Sequence, residues 1–142
     1  MMYLAGGSAG VLVGLLILWI VLPLGAASSS STPTSFGTIE VSDLKSMVEK
    51  NEVTIIDVRN IEPYLAAHIP GALQIPVSMI EGEIAHLPKG KKIVTYCTCP
   101  AEESSGQAAM ILAHGGITDV VALEGGFDAW VAAGLPTAAG RP

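Results

Sequence analysis

Short apolar runs alternate with amphipathic segments along residues 36–136, and this alternation limits the possible folds most strongly. Four runs rich in apolar or β-branched residues predict strands at residues 53–57, 73–75, 92–96 and 119–123. Five helices are predicted in the segments around and between these strands, at residues 42–49 (with Ser42 as N-cap), 61–67, 77–86, 105–114 and 126–133. Because strand–helix alternation implies crossover connections, we predict an α/β fold with a small parallel β-sheet flanked by helices on both faces.

The N-terminal segment is uncharged and apolar. Residues 1–39 contain no Asp, Glu, Lys or Arg, and apolar or small residues fill the stretch 3–27. A membrane-spanning helix needs about 20 predominantly apolar residues, so we predict one hydrophobic helix, a transmembrane anchor, within residues 1–27. A cleaved secretory signal ending at Gly25-Ala26-Ala27 is the alternative. Either segment would bring the protein to a membrane, and we expect the domain to be exported, in a periplasmic or extracytoplasmic location.

The rest of the chain divides into a linker, a domain and a tail. Residues 28–35 are rich in Ser, Thr and Pro and predict a flexible linker, residues 36–137 form the predicted domain, and residues 138–142 form the tail. All charged residues lie between Glu40 and Arg141, so the net charge of −6 belongs to this part of the chain. An acidic domain without a basic cluster argues against a nucleic-acid partner.

Both cysteines lie where the predicted strand 92–96 gives way to the predicted helix 105–114. Cys97 and Cys99 would then face backbone N–H groups and the positive end of the helix dipole, which stabilise a reactive thiolate. In parallel sheets, sites form beyond the carboxyl ends of the strands, where Arg59 and residues 124–126 are also expected. The loop therefore predicts cysteine chemistry.

The cysteine pair is compatible with two other uses. A metal site would need more ligands, and His68, His86 and His114 are not at ligand spacing from the pair or from each other, so we predict no metal. A reversible disulfide between Cys97 and Cys99 is a stronger alternative, because the two residues are close in sequence and lie on a loop.

Several short segments, in this order and spacing, resemble the rhodanese-like (sulfurtransferase) domain family over nearly all of residues 36–136. They are Asp57-Val58-Arg59, Tyr64, His68-Ile69-Pro70-Gly71-Ala72, Ile93-Val94-Thr95-Tyr96-Cys97, Gly116, the run from Leu123 to Trp130, and Gly134-Leu135-Pro136. The resemblance implies a sulfurtransferase, in which a loop cysteine takes a sulfane sulfur from thiosulfate or a persulfide. The cysteine becomes a persulfide and passes the sulfur to a thiol acceptor, with no dissociable cofactor.

The nucleophile depends on the register of the loop. The resemblance implies Cys99 when the family pattern is counted back from the predicted helix, and Cys97, as the alternative nucleophile or as a resolving thiol, when it is counted forward from the strand. The substrate-binding loop would contain Pro100, Ala101, Glu102, Glu103, Ser104 and Ser105, with Asp57 and Arg59 in supporting positions.

Acidic residues in this loop set the expected chemistry. Ser104 stands where many family members have Arg, and the carboxylates of Glu102 and Glu103 would repel a dianion such as thiosulfate, so a less charged persulfide is the better donor. Arg59 would either offset these charges or pair with Asp57. Two alternative functions remain at this stage: a sensing or interaction module with weak catalysis, and a dithiol redox protein.

Overall fold

The computed structural model describes residues 36–141. The predicted anchor at 1–27 and linker at 28–35 lie outside these residues and stay predictions. Within residues 36–141, none of the helices has the length and apolar character needed to cross a membrane.

Five parallel strands form one sheet in the spatial order β1-β5-β4-β2-β3. They are β1 Gly37–Ile39, β2 Val53–Asp57, β3 Leu73–Gln74, β4 Lys92–Tyr96 and β5 Val120–Leu123. The predicted parallel sheet is confirmed, and four of its strands agree with the prediction to within one residue at either end. Strand β1 was not predicted, because it is only three residues long and begins with Gly37, and it is held by pairing with β5.

Five α-helices accompany the sheet: α1 Val41–Glu49, α2 Ile61–Ala66, α3 Ile80–Glu83, α4 Glu103–His114 and α5 Gly126–Ala132. Short 3-10 turns at Val77–Met79 and Ile84–His86 flank α3, so the helical segment predicted over residues 77–86 is confirmed, with α-helical geometry only in its middle. The predicted cap is wrong, since Glu40 is the N-cap of α1 and Ser42 lies inside the helix.

The sheet separates two hydrophobic clusters, and β4 contributes to both. Val94 and Tyr96 join one cluster with Trp130, whereas Ile93 joins the other with Leu112 of α4. This division follows from the geometry of a strand, whose successive side chains point to opposite faces. Trp130 is 3% exposed and lies in the core.

A buried polar cluster joins the carboxyl ends of β2 and β4. The Asp57 carboxylate accepts hydrogen bonds from the Tyr96 hydroxyl (2.7 Å) and from the Arg59 guanidinium (2.6 Å), and both Asp57 and Tyr96 are fully buried. The Tyr96 oxygen in turn accepts the Ile69 N–H (3.1 Å), and Arg59 donates to the carbonyl oxygen of Ala67 (2.8 Å). The cluster therefore holds the segment that follows α2, which contains Ala67 and Ile69, against the carboxyl end of the sheet.

Helix α5 begins directly against the residue that follows β4. The Phe127 N–H donates to the carbonyl oxygen of Cys97 (2.8 Å), and Gly126 lies in the left-handed region with φ +57°. A Cβ at Gly126 would overlap that same carbonyl oxygen, so the close approach requires glycine.

We expect Gly126→Ala to lower the free energy of unfolding by about 2–4 kcal/mol, since it combines backbone strain with a steric clash. Gly134→Ala is the matched control, because Gly134 also has a positive φ (+71°) but has open space around its Cβ position, so only the conformational cost of about 1–2 kcal/mol applies. Urea denaturation followed by circular dichroism measures both. Equal losses in the two variants would contradict the close approach at Cys97.

The buried tyrosine predicts loss of stability in alkaline solution. Burial, together with the charge of Asp57 and the hydrogen bond to it, raises the pKa of Tyr96 above its usual value. The unfolded chain therefore loses this proton first as pH rises, and Tyr96 should lower the free energy of unfolding by about 1.4 kcal/mol per pH unit above about pH 10. Below about pH 10, Tyr96 contributes its full stabilisation to the folded state.

Tyr96→Phe should lower the free energy of unfolding by about 1–3 kcal/mol near pH 7, because the Asp57 carboxylate and the Ile69 N–H each lose a partner. Between about pH 10 and 12 the variant should show a shallower decline than the wild type. Denaturant titrations across this pH range make the comparison. Parallel pH profiles for the two proteins would show that Tyr96 does not hold its proton in the folded state.

Candidate active site at the cysteine loop

Both cysteines lie at the carboxyl edge of the sheet, as predicted, but in different surroundings. Cys97 follows β4 directly and is 3% exposed, and its backbone is held by the hydrogen bond from Phe127. Cys99 lies farther along the loop and is partly exposed. Cys97 belongs to the same buried hydrophobic cluster as Ile93 of β4, whereas Cys99 is only partly buried against that cluster.

The sulfur atoms of Cys97 and Cys99 are joined in a disulfide. Each sulfur also accepts a backbone N–H: Cys97 Sγ from Cys99 (3.3 Å), and Cys99 Sγ from Ser104 (3.2 Å) in the first turn of α4. These N–H donors stabilise negative charge on a sulfur atom. Such donors were predicted for a cysteine loop that precedes a helix.

A left-handed segment shapes the loop between Cys99 and α4. Ala101 (φ 52°) and Glu102 (φ 54°) both lie in the left-handed region, which is unusual for residues other than glycine. They form part of the 3-10 turn Pro100–Glu102, and α4 then begins at Glu103, two residues before the predicted start. Ser104 is consequently inside the helix, where its N–H faces Cys99.

The two loop carboxylates do not face the space in front of the cysteines. Glu102 Oε1 accepts the Gly125 N–H (2.7 Å) at the start of α5, and Glu103 is exposed. The repulsion expected from these residues is therefore smaller than their positions in the sequence suggest. Glu102 instead connects the loop to the glycine turn after β5.

A depression of about 270 Å³ opens in front of the two cysteines. It is lined by Val58, Arg59, Asn60, Pro63, Cys97, Thr98, Cys99 and Ser104. Of the predicted loop residues, only Ser104 lines it together with the cysteines, whereas Pro100, Ala101, Glu102, Glu103 and Ser105 do not. Ser105 is fully buried, and its hydroxyl donates to the carbonyl oxygen of Glu102 (3.1 Å), so it stabilises the loop.

Four lining residues were not predicted: Val58, Asn60, Pro63 and Thr98. Val58, Asn60 and Pro63 follow the carboxyl end of β2, and Thr98 separates the two cysteines. The rule that sites form beyond the carboxyl ends of parallel strands would have identified the segment after β2. No property of their side chains distinguishes them in the sequence.

Arg59 lines the depression as part of an ion pair with Asp57. Its guanidinium lies 4.3 Å from the centroid of the Phe127 ring and donates to both Asp57 oxygens. Burial lowers the pKa of Arg59, but the hydrogen bond and charge of Asp57 raise it, and the balance keeps the pKa above its usual value. Of the two roles predicted for Arg59, the structure shows the pair with Asp57.

His68 packs in the core away from the cysteines. It is 3% exposed, stacks on Tyr64 with ring centroids 3.9 Å apart, and its Nδ1 lies 2.8 Å from the Tyr64 carbonyl oxygen. Among residues 36–141, no group of three or more His, Cys, Asp or Glu side chains is arranged to hold a metal ion.

Comparisons with known proteins agree on the family. The sequence model of the Rhodanese-like domain matches residues 40–133. The chain is 38% identical over 94 residues to the HTH-type transcriptional regulator Rv0324 of Mycobacterium tuberculosis, covering 66% of this chain and 41% of the regulator. It is 33% identical over 101 residues to the thiosulfate sulfurtransferase GlpE of Pseudoalteromonas translucida, covering 70% of this chain and 92% of that protein.

A solved structure shares the fold. The BH2092 protein from Bacillus halodurans is similar with a TM-score of 0.67 and 32% identity, over 72% of this chain and 77% of that chain. Residues 40–133, which the family model matches, contain strands β2 to β5, the polar cluster at Asp57 and the cysteine loop. The chain therefore belongs to the rhodanese-like domain family, whose members include proteins named as sulfurtransferases.

Proposed function

We propose that the protein is a sulfurtransferase that carries sulfane sulfur as a persulfide on Cys99. The observation that carries this proposal is the hydrogen bond from the Ser104 N–H to Cys99 Sγ, at the edge of a depression that a small donor can enter. Cys99 is partly exposed, whereas Cys97 is 3% exposed, so Cys99 is the more accessible nucleophile.

Sulfur transfer would take place in two displacements. The Cys99 thiolate attacks the sulfane sulfur of the donor, a bond forms between the two sulfurs, and the donor's leaving group departs with the electron pair. This leaving group is sulfite from thiosulfate, or a thiolate from a persulfide. An acceptor thiolate then attacks the outer sulfur, and Cys99 leaves as a thiolate. The Ser104 N–H stabilises the negative sulfur before and after transfer.

Electrostatics favour a donor with little negative charge. Arg59 is the only cation among the residues that line the depression, and its charge is balanced by Asp57. A dianion such as thiosulfate would find no unpaired cation there, although Glu102 is directed toward Gly125 and repels it less than expected. We therefore propose a low-molecular-weight persulfide as the preferred donor and a thiol as the acceptor.

Sulfur loading requires a reduced protein, because Cys99 has no thiol while it is bonded to Cys97. We predict that Cys97→Ser, incubated with glutathione persulfide, gains the mass of one sulfur atom. Cys99→Ser should gain none, because its remaining thiol is buried. Intact mass spectrometry of both variants, with thiosulfate in a parallel reaction, makes the measurement.

A stable sulfur adduct only in Cys99→Ser would assign the nucleophile to Cys97. No adduct in either folded, reduced variant with either donor would overturn the sulfurtransferase proposal and leave an interaction module or a redox pair. Circular dichroism of each variant provides the control for folding.

A second function, dithiol–disulfide exchange, is favoured by the bond between the cysteines. It predicts that the full chain purified without reductant has no alkylatable thiol and gains two after reduction, because Cys97 and Cys99 are its only cysteines. It also predicts that loss of either cysteine abolishes reduction of a small disulfide substrate. Persistent activity in one single variant would exclude this mechanism.

We further propose that residues 1–27 tether this domain to a membrane, with the domain on the exported side. The proposal is supported by the uncharged, apolar sequence of that segment.

A further inference from the structure

We propose that Cys97 resolves the persulfide on Cys99, so that the sulfane sulfur leaves as hydrogen sulfide and the Cys97–Cys99 disulfide is the product. This inference rests on the proposed sulfurtransferase function and adds an acceptor within the chain. The protein would then convert sulfane sulfur to sulfide and would need a dithiol reductant for each turnover.

The observed bond is the bond that this step would form. In the structure Cys97 Sγ is bonded to Cys99 Sγ, the inner sulfur of a persulfide on Cys99. Both cysteines line the same depression, so the outer sulfur of a persulfide on Cys99 has a path to solvent when it leaves. The geometry thus places Cys97 to attack the inner sulfur.

The surroundings of Cys97 suit an internal nucleophile better than an external one. Cys97 is 3% exposed, and its carbonyl oxygen is fixed by the Phe127 N–H at 2.8 Å. Its sulfur accepts the Cys99 N–H (3.3 Å), which stabilises a thiolate, whereas the Ser105 hydroxyl 3.5 Å away donates to the carbonyl oxygen of Glu102. A buried thiolate two residues from its target reacts at a high effective concentration, whereas an external thiol must first enter the depression.

Atoms and electrons balance in this step. The Cys97 thiolate, having lost its proton to solvent, attacks Cys99 Sγ of the protonated persulfide, and a new sulfur–sulfur bond forms. The bond between Cys99 Sγ and the outer sulfur breaks, and the outer sulfur leaves as hydrosulfide with its proton and the electron pair. The two cysteine sulfurs are oxidised and the sulfane sulfur is reduced. An external dithiol then reduces the disulfide by exchange and becomes a disulfide itself.

The test compares the reduced full chain with Cys97→Ser and Cys99→Ser after removal of the reductant. Each is mixed with an equimolar amount of glutathione persulfide, with thiosulfate in a parallel series. Intact mass after thiol alkylation reports bound sulfur and free thiols, and trapping with monobromobimane reports sulfide. Cys97→Ala serves as a second variant should the serine at this buried position prevent folding.

We expect the wild type to release one sulfide per chain, retain no added sulfur and lose both alkylatable thiols. Cys97→Ser or Cys97→Ala should retain one sulfur atom and release sulfide no faster than Cys99→Ser, which reports the background. A wild type that keeps the added sulfur, or releases no more sulfide than Cys99→Ser, while the Cys97 variants are loaded, would overturn the internal acceptor alone. Sulfur uptake by Cys99→Ser but not by the Cys97 variants would make Cys97 the nucleophile and overturn this inference alone. Failure of every folded variant to take up sulfur would overturn the sulfurtransferase proposal and this inference with it.

Discussion

The buried carboxylate of Asp57 holds the carboxyl edge of the sheet together. It accepts hydrogen bonds from Arg59 and Tyr96, which come from segments after β2 and at the end of β4, and these partners extend the contacts to Ala67 and Ile69. A buried ion pair that loses one partner typically costs about 3–5 kcal/mol, because the remaining charge has no compensation. The residue after Tyr96 is Cys97, so the position of the first cysteine depends directly on this cluster.

The sequence predicts the parts of the fold that follow from periodicity. Runs such as Val53–Asp57 are buried on both faces and read as strands without tertiary information. Strand β1 and the start of α4 depend instead on contacts between distant segments. Gly37–Ile39 is a strand because Val121 and its neighbours pair with it, and α4 can begin at Glu103 because Ala101 and Glu102 adopt left-handed backbone angles. Neither Ala nor Glu is a residue type that predicts a left-handed backbone conformation.

The candidate site was predictable in position but not in the direction of its side chains. Topology places Cys97, Cys99 and Arg59 at one edge, as the order of strands implies. The orientation of Glu102 could not be derived from the sequence, since it depends on the Gly125 N–H that the turn after β5 provides. The role of Arg59 was ambiguous for a similar reason: Asp57 is two residues away, but only the fold shows that the pair is buried.

The geometry also accounts for the ambiguity in loop register. Counting from β4 and counting from α4 select different cysteines, because the two are only two positions apart and both loop lengths suit a site between a strand and a helix. In the structure the two sulfurs are bonded, so both registers place a sulfur atom at the same point of the edge. What differs is the environment: Cys97 is fixed by the core and by α5, while Cys99 is partly exposed beside the Ser104 N–H. This arrangement suits two successive roles. The accessible Cys99 receives a sulfur atom, and the buried Cys97, which is bonded to Cys99 in the structure, then displaces that sulfur atom.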